Sequence, residues 1–211
     1  MVRISASILS FLFEAKRNKI HEKDMIEHIN YALNKKKGQY QLLHIDIEDG
    51  KFVSHKAFTP IQLMKIKTNC KREAHLMVVN YDKYIKDYFN CADMFIVHNE
   101  VLKRSFPKTI EHLHKNKKFI GIAINPETHV DEIKYLDKID LILVMSVHPG
   151  MPGQEFLEHS LHKVKKLHEL KKNNGYKYII EIDGGVNNSN EQKCIKAGAD
   201  ILVQGSYLFK Q

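Results

Sequence analysis

The chain has 211 residues, 43% hydrophobic and 27% charged, with ten Gly and five Pro. That composition excludes disordered, collagen-like and coiled-coil chains and fits one globular domain over residues 1–211. Lys plus Arg (33) exceed Asp plus Glu (25), a formal charge of +8 that suits an anionic ligand. With no Arg-rich arm and no interleaved aromatics, nucleic acid is not the expected partner.

In chain order, the first apolar stretch, Ile4 to Leu9, follows Arg3 and precedes Glu14, Lys16 and Arg17 with no small-residue cleavage site. It reads as a first strand running into a loop, not as a signal peptide. Seven further runs rich in Ile, Val, Leu and Phe follow: Leu42 to Ile47, Ala74 to Val79, Met94 to Val97, Phe119 to Ile124, Leu141 to Val147, Ile179 to Asp183 and Ile201 to Gln204. Polar segments with helical spacing lie between them, such as Met25, Ile29 and Leu33, or Leu161, Val164, Leu167 and Leu170. This alternation predicts βα units on a parallel sheet. Eight doubly buried strands predict an α/β fold of (β/α)8 TIM-barrel type, although such barrels usually run to roughly 250 residues; an open doubly wound sheet is the second choice.

The last run ends close to Gln211, so the eighth helix is expected to be short or missing. A second subunit of a homo-oligomer would then cover the apolar flank. The basic runs Lys35 to Lys37, Lys115 to Lys118 and Lys165-Lys166 with Lys171-Lys172 read as solvated helix faces. Cys70, Cys91 and Cys194 are too scattered for a disulfide framework or a zinc knuckle, which points to a reducing, cytoplasmic setting. No apolar run approaches the roughly 20 residues of a bilayer span, so no membrane contact is expected.

In a barrel, chemistry collects at the C-terminal ends of the strands. Strand alternation places His44, Asp46 and Glu48 on one face, with Gly50 opening a turn. A doubly buried strand holds such groups only if they are paired or bind a metal; an edge strand with an exposed polar face is the alternative. His75 opens a run and Asp183 ends one. Together with His44 and Asp46 they form a two-His, two-carboxylate set suited to one divalent ion. Gly150-Met151-Pro152-Gly153, Gly184-Gly185 and Gly205-Ser206 follow strands six, seven and eight. Barrel loops there often bind phosphate through bare backbone N–H groups, although Gly also simply terminates strands.

Several of these segments occur together in order. Ser7-Ile8-Leu9, His44-Ile45-Asp46 with Asp49-Gly50-Lys51-Phe52-Val53, His75-Leu76-Met77-Val78, Val144-Met145-Ser146-Val147 with Pro149-Gly150, Gly153-Gln154-Glu155-Phe156, Glu181 to Val186 and Ala197-Gly198-Ala199-Asp200 resemble the ribulose-phosphate 3-epimerase family. The match runs from about Ile4 to Phe209. The resemblance implies a (β/α)8 barrel that interconverts ribulose 5-phosphate and xylulose 5-phosphate by moving the C3 proton. It implies one divalent ion (Zn, Fe, Mn or Co) on His44, Asp46, His75 and Asp183, with Asp46 and Asp183 as the acid/base pair. It also implies a phosphorylated ketose bound by Ser7, His75, Gly150, Met151, Gly153, Gly184, Gly185, Gly205 and Ser206. Met77 and Met145 match pocket methionines or are barrel filler, and His98-Asn99-Glu100 keeps a His-x-Glu that supports the site.

Three positions depart from the family pattern. Glu48 stands where the family usually has Met, a candidate modulator of the ion or of a substrate hydroxyl. Pro152 interrupts the usual Gly-Phe-Gly-Gly loop and has no N–H to offer phosphate. Ala6 replaces a Pro before Ser7. A 3-epimerase of a ketohexose 6-phosphate such as allulose 6-phosphate is the alternative within the enzyme class, and Glu48, Pro152 and the curtailed C-terminus keep open a non-catalytic sugar-phosphate-binding barrel.

Overall fold

The computed structural model describes residues 2–210. Its eight strands, β1 (Arg3–Ser7), β2 (Leu42–Glu48), β3 (Lys71–Met77), β4 (Met94–His98), β5 (Phe119–Ile124), β6 (Leu141–Met145), β7 (Ile179–Asp183) and β8 (Ile201–Gln204), pair in sequence order and close into one parallel barrel. The doubly wound alternative is thereby excluded, because β8 pairs back onto β1 and no sheet edge remains. Eight α-helices lie among the strands: α1 (Leu9–Asn18), α2 (Glu22–Lys35), α3 (Pro60–Lys65), α4 (Tyr81–Asp87), α5 (Phe106–Lys115), α6 (Ser160–Asn174), α7 (Glu191–Ala197) and α8 (Ser206–Lys210).

Alternation divides each strand between two cores. Leu43, Ile45 and Ile47 of β2 belong to the large cluster formed with the helices. Leu141, Leu143 and Met145 of β6 join Ile96, Ala123, Ile201 and Val203 in a smaller cluster inside the barrel. Each such side chain, fully buried, stabilises the fold by roughly 1.5–3 kcal/mol. Met25, Ile29 and Leu33 are the buried stripe of α2, as their spacing predicts, and Val164 and Leu167 are that of α6.

Three expectations are corrected. Strand β1 stops at Ser7, and the chain turns directly into helix α1 instead of a loop, because Leu9, Phe11, Leu12 and Ala15 recur at helical spacing and are buried. Strand β3 starts at Lys71, three residues before its apolar run, because inward positions in this strand are polar. Lys36 is buried, not solvated. The eighth helix is short, Ser206–Lys210, with the Phe209 ring edge-on to Phe11 of α1 at 4.9 Å. Cys70, Cys91 and Cys194 are free thiols. No helix among the described residues is long and apolar enough to cross a membrane.

Candidate active site

The register explains how distant residues meet. His44 pairs with Glu73 and Asp46 with His75 across β2 and β3, while Ser7 pairs with His44 across β1 and β2. Cross-strand partners share a face, so their side chains meet inside the barrel. At the C-terminal end of the barrel, His44, Asp46, His75 and Asp183 each offer one ligand atom, all within 4.8 Å of one another. The His44 Nε2 lies 3.5 Å from Asp46 Oδ1 and 3.7 Å from Asp183 Oδ2; His75 Nδ1 lies 3.2 Å and 4.0 Å from the same two oxygens. Both imidazoles are fully buried, and Asp183 is the most open of the four at 16%.

The two histidines face this point with different ring nitrogens. His44 Nδ1 bonds Glu73 Oε1 at 3.0 Å, and its Nε2 is buried with no hydrogen-bond partner. His75 Nε2 bonds His98 Nε2 at 2.8 Å, leaving Nδ1 on the cluster side. A buried, unpartnered ring nitrogen beside two carboxylates is the donor set that a divalent ion satisfies, so the residues present fit a metal. His98 Nδ1 sits 3.3 Å from Glu100 Oε2, and Glu100 Oε1 accepts from Asn125 N (3.1 Å) and from Thr128 Oγ1. His98 and Glu100 thus support the site from behind.

Electrostatics separate the two aspartates. Burial alone would raise the Asp46 carboxyl, but the adjoining His44 and His75 outweigh it and hold the carboxyl well below the usual range. Burial, with Asp46 and Glu73 nearby, pushes Asp183 up to about 7 despite His44. Two carboxyls in one site with their proton affinities driven apart are the arrangement that acid/base pairs use. Burial pulls His98 down to about 4, which keeps that imidazole neutral.

Above the cluster opens a cavity of about 390 Å³. Ser7, Asp46 and Asp183 lie in its wall with Met77 and Met145; Ser7 Oγ donates to Asp46 Oδ2 at 3.1 Å. Gly150, Met151, Pro152 and Gly153 form a second side, and Gly184, Gly185, Gly205 and Ser206 a third. Positions 184 and 185 need glycine. Gly184 has φ +120° and a Cβ there would sit 2.4 Å from Val147 Cγ2, while at Gly185 (φ +65°) it would sit 2.7 Å from the Phe156 nitrogen. Ser146 Oγ donates to the carbonyls of Asp183 (2.9 Å) and Gly184 (2.7 Å), fixing the end of β7.

Glu48 shares the inner face of β2 but does not line the cavity. Both its oxygens are buried without partners, and burial together with Asp46 pushes it up to about 8. Sequence reasoning missed Ser5, Glu73 and Glu181, a buried polar layer directly below the cluster, and also Asn187, Tyr207 and Lys210 on the cavity wall. The layer had a signal. Glu73-x-His75 and Glu181-x-Asp183 repeat the period-two spacing of His44-x-Asp46.

A model described as the ribulose-phosphate 3 epimerase family matches residues 3–209. The chain belongs to that family. Within the ribulose-phosphate 3-epimerase family, a protein of that name from Bacillus subtilis is 34% identical over 216 residues, covering all of this chain and 94% of its own. Another from Helicobacter pylori is 37% identical over 173 residues, covering 80% and 79%. Among solved structures, a 3-hexulose-6-phosphate synthase superposes with a TM-score of 0.67 at 11% identity, covering 100% of this chain and 93% of its own; this likeness extends the fold of this epimerase-family chain, and nothing more, to that enzyme.

Proposed function

We propose that the chain interconverts D-ribulose 5-phosphate and D-xylulose 5-phosphate by proton transfer at C3, with Asp46 and Asp183 as the two acid/base groups. The observation that carries this reading is the convergence of two carboxyls, from β2 and β7, on one buried point beside two imidazoles, at the floor of a glycine-walled cavity. Inverting a carbon through a planar enediolate takes one proton-carrying group on each face. One aspartate takes the C3 proton from its side and the other returns a proton from the opposite side. In the reverse reaction the roles exchange.

His44, Asp46, His75 and Asp183 would hold a divalent ion. When bound, such an ion supplies Lewis-acid polarisation of the substrate oxygens and so acidifies the C3–H. The chain's own groups do the rest. Ser7 keeps Asp46 aimed through its 3.1 Å hydrogen bond. Met77 and Met145 exclude water from the reacting carbon with side chains that carry no competing proton. The bare backbone at Gly184, Gly185 and Gly205, with Ser206, receives the phosphate, and Lys210 adds a cation to the same cavity. Pro152 gives no N–H, so the loops after β7 and β8 carry the phosphate grip.

The test is incubation of the metal-loaded protein with ribulose 5-phosphate in deuterated water. Deuterium at C3, together with xylulose 5-phosphate, is expected; a folded, metal-loaded protein that leaves C3 unlabelled would reject the reading.

A further inference from the structure

The metal-holding reading assigns four side chains and leaves the layer beneath them without a role. Ser5, Glu73 and Glu181 lie there, at 0–1% exposure, in the middle of the barrel. Three of their carboxylate oxygens, Glu73 Oε2 and both of Glu181, have no hydrogen-bond partner. Burying acids this way is costly unless they serve something nearby.

We propose that Glu73 is a positioning residue for His44, setting the imidazole tautomer that turns a bare Nε2 toward the cluster. The inference rests on the assignment of His44 as a metal ligand. A neutral imidazole has one N–H and one lone pair, so a ligand nitrogen at Nε2 requires the proton at Nδ1. Glu73 Oε1 is the acceptor within reach at 3.0 Å, whereas Glu181 Oε1 stands 3.9 Å from the same nitrogen. Ser5 Oγ donates to the same Glu73 oxygen, which pins the carboxylate in place from β1. The register delivers it: Glu73 is the cross-strand partner of His44 and lies two residues before His75. Strand β3 therefore carries one ligand and the anchor of another, and outer partners of this kind commonly change metal affinity about 10- to 100-fold.

A competing arrangement uses the same atoms. His44 Nδ1, Glu73 and Glu181 also lie within 4.8 Å of one another and can enclose a cation themselves. The two uses exclude each other, because a nitrogen that donates its proton to Glu73 has no lone pair for an ion.

The experiment titrates apo protein with Co²⁺ and Zn²⁺ by calorimetry, with the visible Co²⁺ spectrum and the imidazole N–H proton resonances as independent readouts. Wild type is expected to bind one ion per chain and to show a downfield Nδ1–H signal. Glu73→Gln, which keeps an acceptor but loses the charge, should weaken binding about 10-fold, and Glu73→Ala about 100-fold with loss of the signal. Glu181→Gln should leave affinity within about 3-fold. If Glu73→Ala does not fold, Glu73→Gln decides. Unchanged affinity and spectrum in a folded Glu73→Gln would overturn this inference alone. Two ions per chain, with the second lost in Glu181→Gln, would overturn it in favour of an ion on Nδ1. A wild type that binds no ion would overturn the metal-holding reading as well, which separates the two failures.

Discussion

The Nε2 atoms of His75 and His98 lie 2.8 Å apart, a separation at which one of the two must carry the hydrogen and the other must accept it. With His75 offering Nδ1 to the cluster, His75 Nε2 is the donor. His98 then carries its proton on Nδ1 and gives it to Glu100, so a single carboxylate at the edge of β4 terminates the chain of donors.

Glu100 should therefore contribute pH-dependent stability. Burial alone would raise its carboxyl, but the bonds from His98, Thr128 and Asn125 prevail and hold it at about 2, below the ordinary 4.5. A depressed carboxyl stabilises the fold fully above its unfolded value and loses that contribution as pH falls through the folded one. Glu100→Gln should cost about 2 kcal/mol at pH 7, and the gap to wild type should narrow steadily between pH 4.5 and 2. Parallel thermal melts across that range check it; a constant gap would contradict the assignment.

Asp46→Asn and Asp183→Asn should each reduce epimerisation by about 10³-fold or more, the scale of losing a positioned acid or base. Both variants should still melt cooperatively. Single-turnover conversion of ribulose 5-phosphate to xylulose 5-phosphate measures the loss directly, and substantial epimerisation in either variant would remove that residue from the acid/base pair.

Stripping the protein with a chelator should abolish exchange and lower the melting temperature, and a divalent ion should restore both. At an ion concentration 100 times its dissociation constant the gain in stability is about 2.7 kcal/mol. Melts of stripped and reloaded protein follow it, with identical curves as the contrary result.

Gly185→Ala places a Cβ 2.7 Å from the Phe156 nitrogen and 2.9 Å from the Gln154 carbonyl oxygen, in backbone at φ +65°. The wall beside β7 must shift, at a cost of roughly 1–3 kcal/mol. With that wall as the proposed phosphate grip, KM for the sugar phosphate should rise more than kcat falls. Steady-state kinetics separate the two; a fall in kcat alone would argue against a phosphate grip there.

Glu48→Met should stabilise the protein. Both Glu48 oxygens are buried without partners, and replacing such a group by an apolar side chain of similar length recovers about 1–3 kcal/mol. Chemical denaturation of the variant at neutral pH provides the comparison, and a loss of stability would point to a partner that Glu48 binds.

The barrel was legible because strands buried on both faces leave continuous apolar runs; Leu141 to Met145 is such a run. Helix α1 was obscured because Ile8, Leu9, Phe11 and Leu12 extend the run of β1 with only small Ser7 and Ser10 between, and an apolar run alone does not distinguish strand from helix. At the site, His44, Asp46, His75 and Asp183 were readable as polar residues interrupting apolar strands, and the structure brings all four together. Glu73 escaped notice because it stands in a polar opening, Lys71-Arg72-Glu73, that resembles a connecting segment. The Glu73-x-His75 spacing puts it on the inner face, but only the register pairs it with His44, and pairing between strands is not written in local composition.

The four clustered side chains come from three strands, with β2 and β3 near the beginning of the chain and β7 near its end. No stretch of the unfolded polypeptide contains the cluster, so its affinity for an ion arises only when the last third of the chain has docked beside the first. An ion held by this cluster would therefore be captured only once the barrel has closed and, by binding the folded chain alone, would favour the finished cylinder.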